Sequence, residues 1–177
     1  MIEAIVDVRG STLETIQGLL RGLLENGVVD ALLVPMRLPA GPGSGEQGRT
    51  VAPMLVTDLA ALDQADPLAP VLPINAARAA SQLTMTGHTE TLGLVLRACE
   101  IRALVELVKF QQADLGNALI VGIDCLGTYP VTDYQAAGNK EQLIDQLLAG
   151  AATGDLQPHD DLLFRAACQI CEQPLPE

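Results

Sequence analysis

The sequence predicts an α/β fold in which a mainly parallel sheet is flanked by helices, with residues 1–177 forming a single domain. Short runs of Val, Ile and Leu are typical of strands buried in a parallel sheet. They alternate with segments whose apolar residues recur at helical spacing, and this alternation indicates βαβ units. The length suits one ordinary domain and is too short for two.

The first half of the chain shows this alternation clearly. Apolar residues between positions 13 and 24 follow a helical period, and Asn26-Gly27 is a typical helix end. The stretch LPAGPGSGEQGRT, residues 38–50, is rich in Gly and Pro and predicts a flexible loop. The predicted elements are strands 2–8, 28–36 and 51–56, and helices after Ser11-Thr12, within 58–64 and from Asn75.

The second half repeats the pattern with two strong strands. TLGLVLRA is a buried strand that runs directly into a helical segment, and ALIVGIDC is the last strong strand. The chain closes with FRAACQICEQPLPE, which carries a C-x-x-C pair at the end of a predicted helix. The predicted elements are strands 91–98 and 118–125, and helices 99–113, 140–149 and 159–170.

Charge and hydropathy exclude two classes of partner. The formal net charge is −12, whereas binding to nucleic acid needs clustered Lys and Arg. The first ten residues lack the basic and apolar regions of a signal peptide, and the apolar runs are too short to span a bilayer. We therefore expect a cytoplasmic protein that neither binds nucleic acid nor inserts into a membrane.

The four cysteines fall where an α/β sheet places its ligand sites. Cys99 follows strand 91–98 and Cys125 follows the next strand, so both lie at the carboxyl ends of strands. The C-x-x-C pair of Cys168 and Cys171 could fold over that edge and complete a set of four thiolates. Since structural disulfides are rare in the cytoplasm, metal binding is the first interpretation.

Several alternatives remain for these cysteines. A lone cysteine is often a small buried apolar residue, which applies to Cys99 or Cys125 taken singly. A thioredoxin-type dithiol is disfavoured because the C-x-x-C pair ends a helix instead of beginning one. Zinc and a [4Fe-4S] cluster both suit four thiolates. One pair with two remote single cysteines is more typical of a cluster than of zinc.

The segments that carry the cysteines resemble a known family. LRACEIRALVELVKFQQA, ALIVGIDCLGTYP and RAACQICEQPLP are similar to the beta subunits of coenzyme F-420 hydrogenases and dehydrogenases, especially the formate-dehydrogenase type. GLLENGVVDALLVP and APVLPINAARA also resemble that family. The resemblance implies an iron–sulfur flavoprotein subunit with one [4Fe-4S] cluster and FAD. The implied cluster ligands are Cys99, Cys125, Cys168 and Cys171.

The resemblance also implies a role within an oxidoreductase complex. Such a subunit passes electrons between partner subunits and a deazaflavin or another acceptor. The strand-to-helix turn at Gly10, Ser11 and Thr12 is a candidate site for an FAD phosphate, because helix N–H groups bind anions, and the turn at residues 126–129 is the alternative. Arg97 is a candidate for tuning the cofactor, since a cation stabilises a reduced cluster. The rival functions are a zinc-stabilised interaction module and a flavoprotein-like domain that only mediates assembly.

Four further side chains are expected to have structural roles. Glu100 is predicted to cap the N-terminus of the helix that follows strand 91–98, where the helix dipole favours an anion. Asn75 is predicted to cap another helix. The spacing of Arg102 and Glu106 predicts an ion pair on one helix face.

Overall fold

The computed structural model describes residues 7–8, 10–39, 50–86, 90–159 and 161–176. Within these ranges the chain forms one four-stranded sheet with helices around it, which confirms the α/β prediction. Residues 2–6 of the predicted first strand lie outside the described residues, as do Arg9 and residues 40–49 of the predicted loop.

Most strands and helices follow the predicted order, with shifts of a few residues at their ends. Residues 7–8 of the predicted first strand do not form a strand. The strands are β1 (Ala31–Leu38), β2 (Thr50–Val56), β3 (Leu92–Arg97) and β4 (Ala118–Ile123). The helices are α1 (Thr12–Glu25), α2 (Ala76–Met85), α3 (Ala98–Lys109), α4 (Val131–Ala136), α5 (Lys140–Thr153) and α6 (Ala166–Gln169), with a 3-10 helix over Leu59–Gln64.

The sheet has the strand order β2-β1-β3-β4. Strands β1, β3 and β4 are parallel neighbours, whereas β2 pairs with β1 in the antiparallel direction. In that antiparallel pair Leu38 lies opposite Thr50 and Leu32 lies opposite Val56. Because three strands are parallel, their carboxyl ends meet at one edge of the sheet, and ligand sites of α/β proteins gather at such edges.

Both faces of the sheet are covered by apolar side chains. On one face, Leu20 of α1 packs with Leu32 and Val95 of the sheet. On the other face, Leu33 and Leu94 pack against the small residues of α2 and against Leu104 of α3. This burial on both faces explains why β1 and β3 have almost continuous apolar sequences.

A third apolar cluster lies beyond the carboxyl ends of the parallel strands. Tyr129 and Phe164 are at its centre, with ring centroids 5.1 Å apart. Leu143 and Leu147 of α5 pack into the same cluster. The cluster thus joins the segment after β4 to the last helices of the chain.

Helix capping follows the sequence closely. Ser11 and Glu14 form a capping box at the start of α1, with bonds of 3.1 Å and 3.0 Å. The Asn75 side chain accepts a hydrogen bond from Ala77 N at 2.9 Å, so its predicted role is confirmed. Glu100 accepts from Arg97 N at 3.1 Å, which confirms it as the cap of α3.

The helix predicted over 159–170 is wrong for most of its length. Among the described residues of that range, only Ala166–Gln169 is helical. The N–H of His159 donates to the Tyr129 hydroxyl at 3.1 Å, and the N–H of Arg165 donates to the Thr128 carbonyl at 2.8 Å. These donors serve contacts with another segment, so they do not close helical turns. The short helix α4 was not predicted.

No helix in the described ranges combines the length and apolar character needed to cross a membrane.

Candidate functional site

The four cysteines come from three separate segments of the chain. Cys99 is the second residue of α3, which begins directly where β3 ends. Cys125 lies two residues beyond β4. Cys168 lies in α6, and Cys171 follows that helix. The structure brings all four around one cavity of about 770 Å³, so the predicted ligand set is spatially together.

The cavity is closed on several sides by backbone and apolar groups. Asn75 and Leu72 line it from the segment before α2, and Leu156 and Phe164 line it from the later part of the chain. Cys99, Cys125 and Cys168 are partly buried, whereas Cys171 is exposed. Of the four cysteines, Cys171 is therefore the one that solvent reaches most readily.

Gly127 shapes the turn that holds Cys125. Its φ of 81° lies in the left-handed region that favours glycine. A Cβ at this position would lie 2.8 Å from the Phe164 ring, which is too close for an ordinary contact. Burial raises the pKa of the Cys125 thiol, and the nearby Gly127 amide opposes part of this rise. The turn therefore requires glycine at this position.

Two hydrogen bonds hold the terminal segment in place just after the C-x-x-C pair. Cys125 N donates to Pro174 O at 3.0 Å, and an Arg102 guanidinium nitrogen donates to Gln173 O at 3.1 Å. The predicted Arg102–Glu106 pair is wrong, because Glu106 pairs with Lys109 at 2.7 Å. Arg102 instead helps to fix the segment that carries Cys168 and Cys171.

Arg165 anchors the other end of this segment. Its N–H donates to Thr128 O at 2.8 Å and its guanidinium donates to Leu72 O at 3.2 Å. Its own carbonyl accepts the N–H of Cys168 at 2.8 Å. Thr128 completes this arrangement, because its hydroxyl oxygen lies 3.1 Å from Cys168 Sγ. In the sequence, Thr128 has no distinguishing feature other than its position three residues after Cys125.

Arg97 is a buried cation beside the cavity, with 5% of its surface exposed. Its guanidinium donates to the carbonyls of Val71, Pro67 and Ala69. These bonds hold the positive charge in place at the carboxyl end of β3. That charge favours the ionised forms of the Cys99 and Cys125 thiols.

Burial and mutual repulsion both act against ionisation of the thiols. Burial raises the pKa of the Cys99 thiol, and the nearby Cys125, Glu100 and Cys168 raise it further. Burial also raises the pKa of the Cys125 thiol, with smaller contributions from Cys168 and Cys171. The thiols therefore lie close enough to influence one another. A bound cationic group would relieve this repulsion and stabilise the thiolates.

The other predicted cofactor residues lie elsewhere. Gly10, Ser11 and Thr12 are not among the residues that line the cysteine cavity. Ser11 N donates to the Glu14 carboxylate and the Ser11 hydroxyl accepts from Glu14 N, so the capping box already uses these groups. Binding of an FAD phosphate at this turn stays a prediction.

Among the described residues, no group of three or more His, Cys, Asp or Glu side chains is arranged to hold a single metal ion. The ligand roles of the four cysteines stay predictions.

Neither a protein-family model nor a curated protein matches the chain. The likeness to hydrogenase and dehydrogenase beta subunits therefore remains a hypothesis drawn from the sequence.

Proposed function

We propose that the chain is an electron-transfer subunit of an oxidoreductase complex. In this proposal Cys99, Cys125, Cys168 and Cys171 hold one [4Fe-4S] cluster. The observation that carries the proposal is that all four cysteines of the sequence line one cavity. If the cysteines were only small buried residues, nothing would require three separate segments to bring them to the same cavity.

The cavity suits an iron–sulfur cluster in size and chemistry. Its volume of about 770 Å³ far exceeds the roughly 10–15 Å³ that one water molecule needs in the same measure, so it has room for a much larger group. Four thiolates are the usual ligands of a [4Fe-4S] cluster. A bound cluster would supply a centre that accepts and returns one electron at a time. The fixed charge of Arg97 would offset part of the negative charge of the thiolates.

The protein groups around the thiols support this role in two ways. Cys99, Cys125 and Cys168 are partly buried, which restricts the access of water to that side of the site. Cys171 is exposed, and the neighbouring Ile170 has 81% of its surface exposed. Electrons would therefore enter or leave on the Cys171 side, where a partner subunit can approach.

FAD is the second cofactor of the proposal. The turn at residues 126–129 contributes Gly127 and Thr128 to the cavity wall. A flavin bound there would lie next to the thiols, whereas the turn at Gly10–Thr12 is not part of that wall. We therefore favour the 126–129 turn for a flavin. Reconstitution with FAD, desalting and fluorescence of the released flavin would test whether the folded chain retains it.

Reconstitution without oxygen tests the cluster. We expect the chain, supplied with iron and sulfide, to turn brown and to contain about four iron and four sulfide per chain. A Cys→Ser substitution at any of the four positions should reduce both contents, whereas Thr132→Ser, at an exposed threonine outside the cavity wall, is the control. A colourless protein that binds about one zinc ion instead would support the zinc-stabilised interaction module.

A further inference from the structure

We propose that Thr128 is a positioning residue that donates a hydrogen bond to the Cys168 thiolate and raises the reduction potential of the site. This inference rests on the proposed function, because it assigns a control on the electron affinity of the same centre. It adds a residue that neither the cysteine pattern nor the family resemblance indicates.

The geometry places the Thr128 hydroxyl directly against the sulfur. Thr128 Oγ1 lies 3.1 Å from Cys168 Sγ, within the range of a hydrogen bond to sulfur. Thr128 is 2% exposed, so water has little access to compete for the hydroxyl. Among the described residues, Cys168 Sγ is the one hydrogen-bond partner of this hydroxyl.

The chemistry of metal binding fixes the direction of the hydrogen bond. In the free thiol either Cys168 or Thr128 can donate. A thiolate that binds iron has lost its proton and can only accept. Thr128 must then be the donor, because its hydroxyl carries the one available proton of the pair.

Backbone hydrogen bonds hold the Thr128 hydroxyl next to the Cys168 sulfur. The Thr128 carbonyl accepts the N–H of Arg165 at 2.8 Å, and the Arg165 carbonyl accepts the N–H of Cys168 at 2.8 Å. The turn that carries Thr128 is therefore joined to the C-x-x-C segment at two points, one backbone and one side chain. The hydroxyl contact is a consequence of this junction and does not depend on a mobile surface side chain.

The sign of the effect follows from charge. On reduction, one electron passes from the reductant to the iron–sulfur group. The Thr128 proton stays on its oxygen, and no bond of Thr128 or Cys168 is made or broken. The reduced group is more negative, so a donor to its sulfur stabilises the reduced state more than the oxidised state. Removal of the hydroxyl should therefore lower the potential.

Redox titration of the iron-loaded and sulfide-loaded protein tests the inference. Thr128→Val removes the hydroxyl at nearly constant volume, and Thr128→Ser retains it. At a fixed solution potential we expect Thr128→Val to lower the reduced-to-oxidised ratio about three-fold to ten-fold, because the hydrogen bond to the more negative reduced group is stronger by an amount comparable to one net hydrogen bond. Thr128→Ser should restore the wild-type ratio. Thr132→Val, at an exposed threonine outside the cavity wall, is the matched control.

The possible outcomes separate this inference from the proposed function. An unchanged potential in loaded Thr128→Val overturns the inference and leaves the cluster in place. A wild-type chain that takes up no cluster overturns both.

If Thr128→Val fails to fold, resonance Raman spectra of the wild type decide the question. Exchange into D₂O should shift an iron–sulfur stretching band in the wild type and in Thr128→Ser, and should shift it less in Thr128→Ala, because exchangeable backbone amides remain in all three proteins and only Thr128→Ala lacks the hydroxyl. Equal shifts in all three proteins, or no shift in any of them, would overturn the inference.

Discussion

Single residues without reactive groups determine where the cysteine sulfurs lie. Gly127 allows the turn after β4 to bring its amide to Cys125, and the Phe164 ring fills the space beside it. Arg97 fixes a positive charge by donating to backbone carbonyls of another segment. The cysteines supply the chemistry, but these neighbours set their positions and their charge balance.

Gly127→Ala tests the requirement for glycine in this turn. The alanine must adopt a left-handed backbone conformation, and its Cβ would lie 2.8 Å from the Phe164 ring. The two costs together should lower the free energy of unfolding by about 2–4 kcal/mol. Urea unfolding measures the loss.

Gly154 offers a matched control for that substitution. Its φ is 76°, and a Cβ there meets no atom within 4 Å. Gly154→Ala therefore carries the backbone cost alone and should lose about 1 kcal/mol. Equal losses in the two variants would show that the Phe164 contact contributes nothing.

The buried carboxyl of Asp66 leads us to expect that the stability of the protein depends on pH. The side chain is 4% exposed, its Oδ2 accepts from Arg37 at 3.0 Å, and its Oδ1 has no hydrogen-bond partner. Burial raises the pKa of Asp66 above its ordinary value of 3.8 and outweighs the opposing effects of Arg37 and Arg97. The folded state therefore binds this proton more tightly than the unfolded state does.

The direction of this pH dependence can be measured by comparing the wild type with Asp66→Asn, whose side chain does not titrate. The stability contributed by protonated Asp66 is complete below the ordinary pKa and is lost as pH rises through the raised pKa. The wild-type free energy of unfolding, relative to that of Asp66→Asn, should therefore fall as pH rises from about 3 to 7. Asp63→Asn, at an exposed site, controls for the change in charge. A relative rise with pH would contradict the prediction.

The sequence could predict the cysteines of the site but not all of their neighbours. Cysteine is chemically distinct, and its position after a strand indicates where the side chain lies in an α/β fold. Threonine and phenylalanine have many roles, so Thr128 and Phe164 gave no comparable signal. Their contacts with Cys168 and Gly127 depend on how distant segments meet.

At the level of elements, Glu100 joins two helices and a strand end. Its Oε1 accepts from Ala76 N at the start of α2 at 2.7 Å, and its Oε2 accepts from Arg97 N at the start of α3 at 3.1 Å. The side chain is 2% exposed. One carboxylate therefore satisfies donors of both helices that cover one face of the sheet.

Glu100→Ala should destabilise the protein strongly. Two buried N–H groups would lose their acceptors, and the removed side chain would leave a void, so we expect a loss of about 2–5 kcal/mol. Glu100→Gln keeps one acceptor oxygen and should lose roughly half as much. Chemical denaturation provides the measurement. Glu106→Ala removes a surface pair with Lys109 and should cost at most about 1 kcal/mol.

Periodicity predicted most of the elements because their apolar positions are set by local geometry. Strands β1, β3 and β4 and helices α1 to α3 all fall within a few residues of their predicted positions. The helix prediction was wrong for residues 159–165 because backbone N–H groups of this region donate hydrogen bonds to the segment at Thr128 and Tyr129. Local sequence carries no signal for such bonds.

At the scale of the whole molecule, the cysteine site links the sheet to the end of the chain. Cys99 and Cys125 belong to the strand ends, whereas Cys168 and Cys171 belong to the segment at residues 161–176. That segment has exposed apolar side chains, including Leu163, Ile170 and Leu175. Its attachment relies on a small number of hydrogen bonds and on the packing of Phe164. A group that binds all four thiolates would join the two parts directly.

Hydrogen exchange should therefore slow in the terminal segment when the cluster is incorporated. Binding to the folded state alone raises the free energy of opening, so we expect exchange at residues 165–174 to slow at least about ten-fold. The amides of α1, outside the cavity wall, serve as the internal reference and should change less. Cys125→Ser under the same loading conditions should lose the protection, because it removes a ligand from the sheet side. If a loaded protein shows equal protection in α1 and in residues 165–174, cluster binding does not fasten this segment to the sheet.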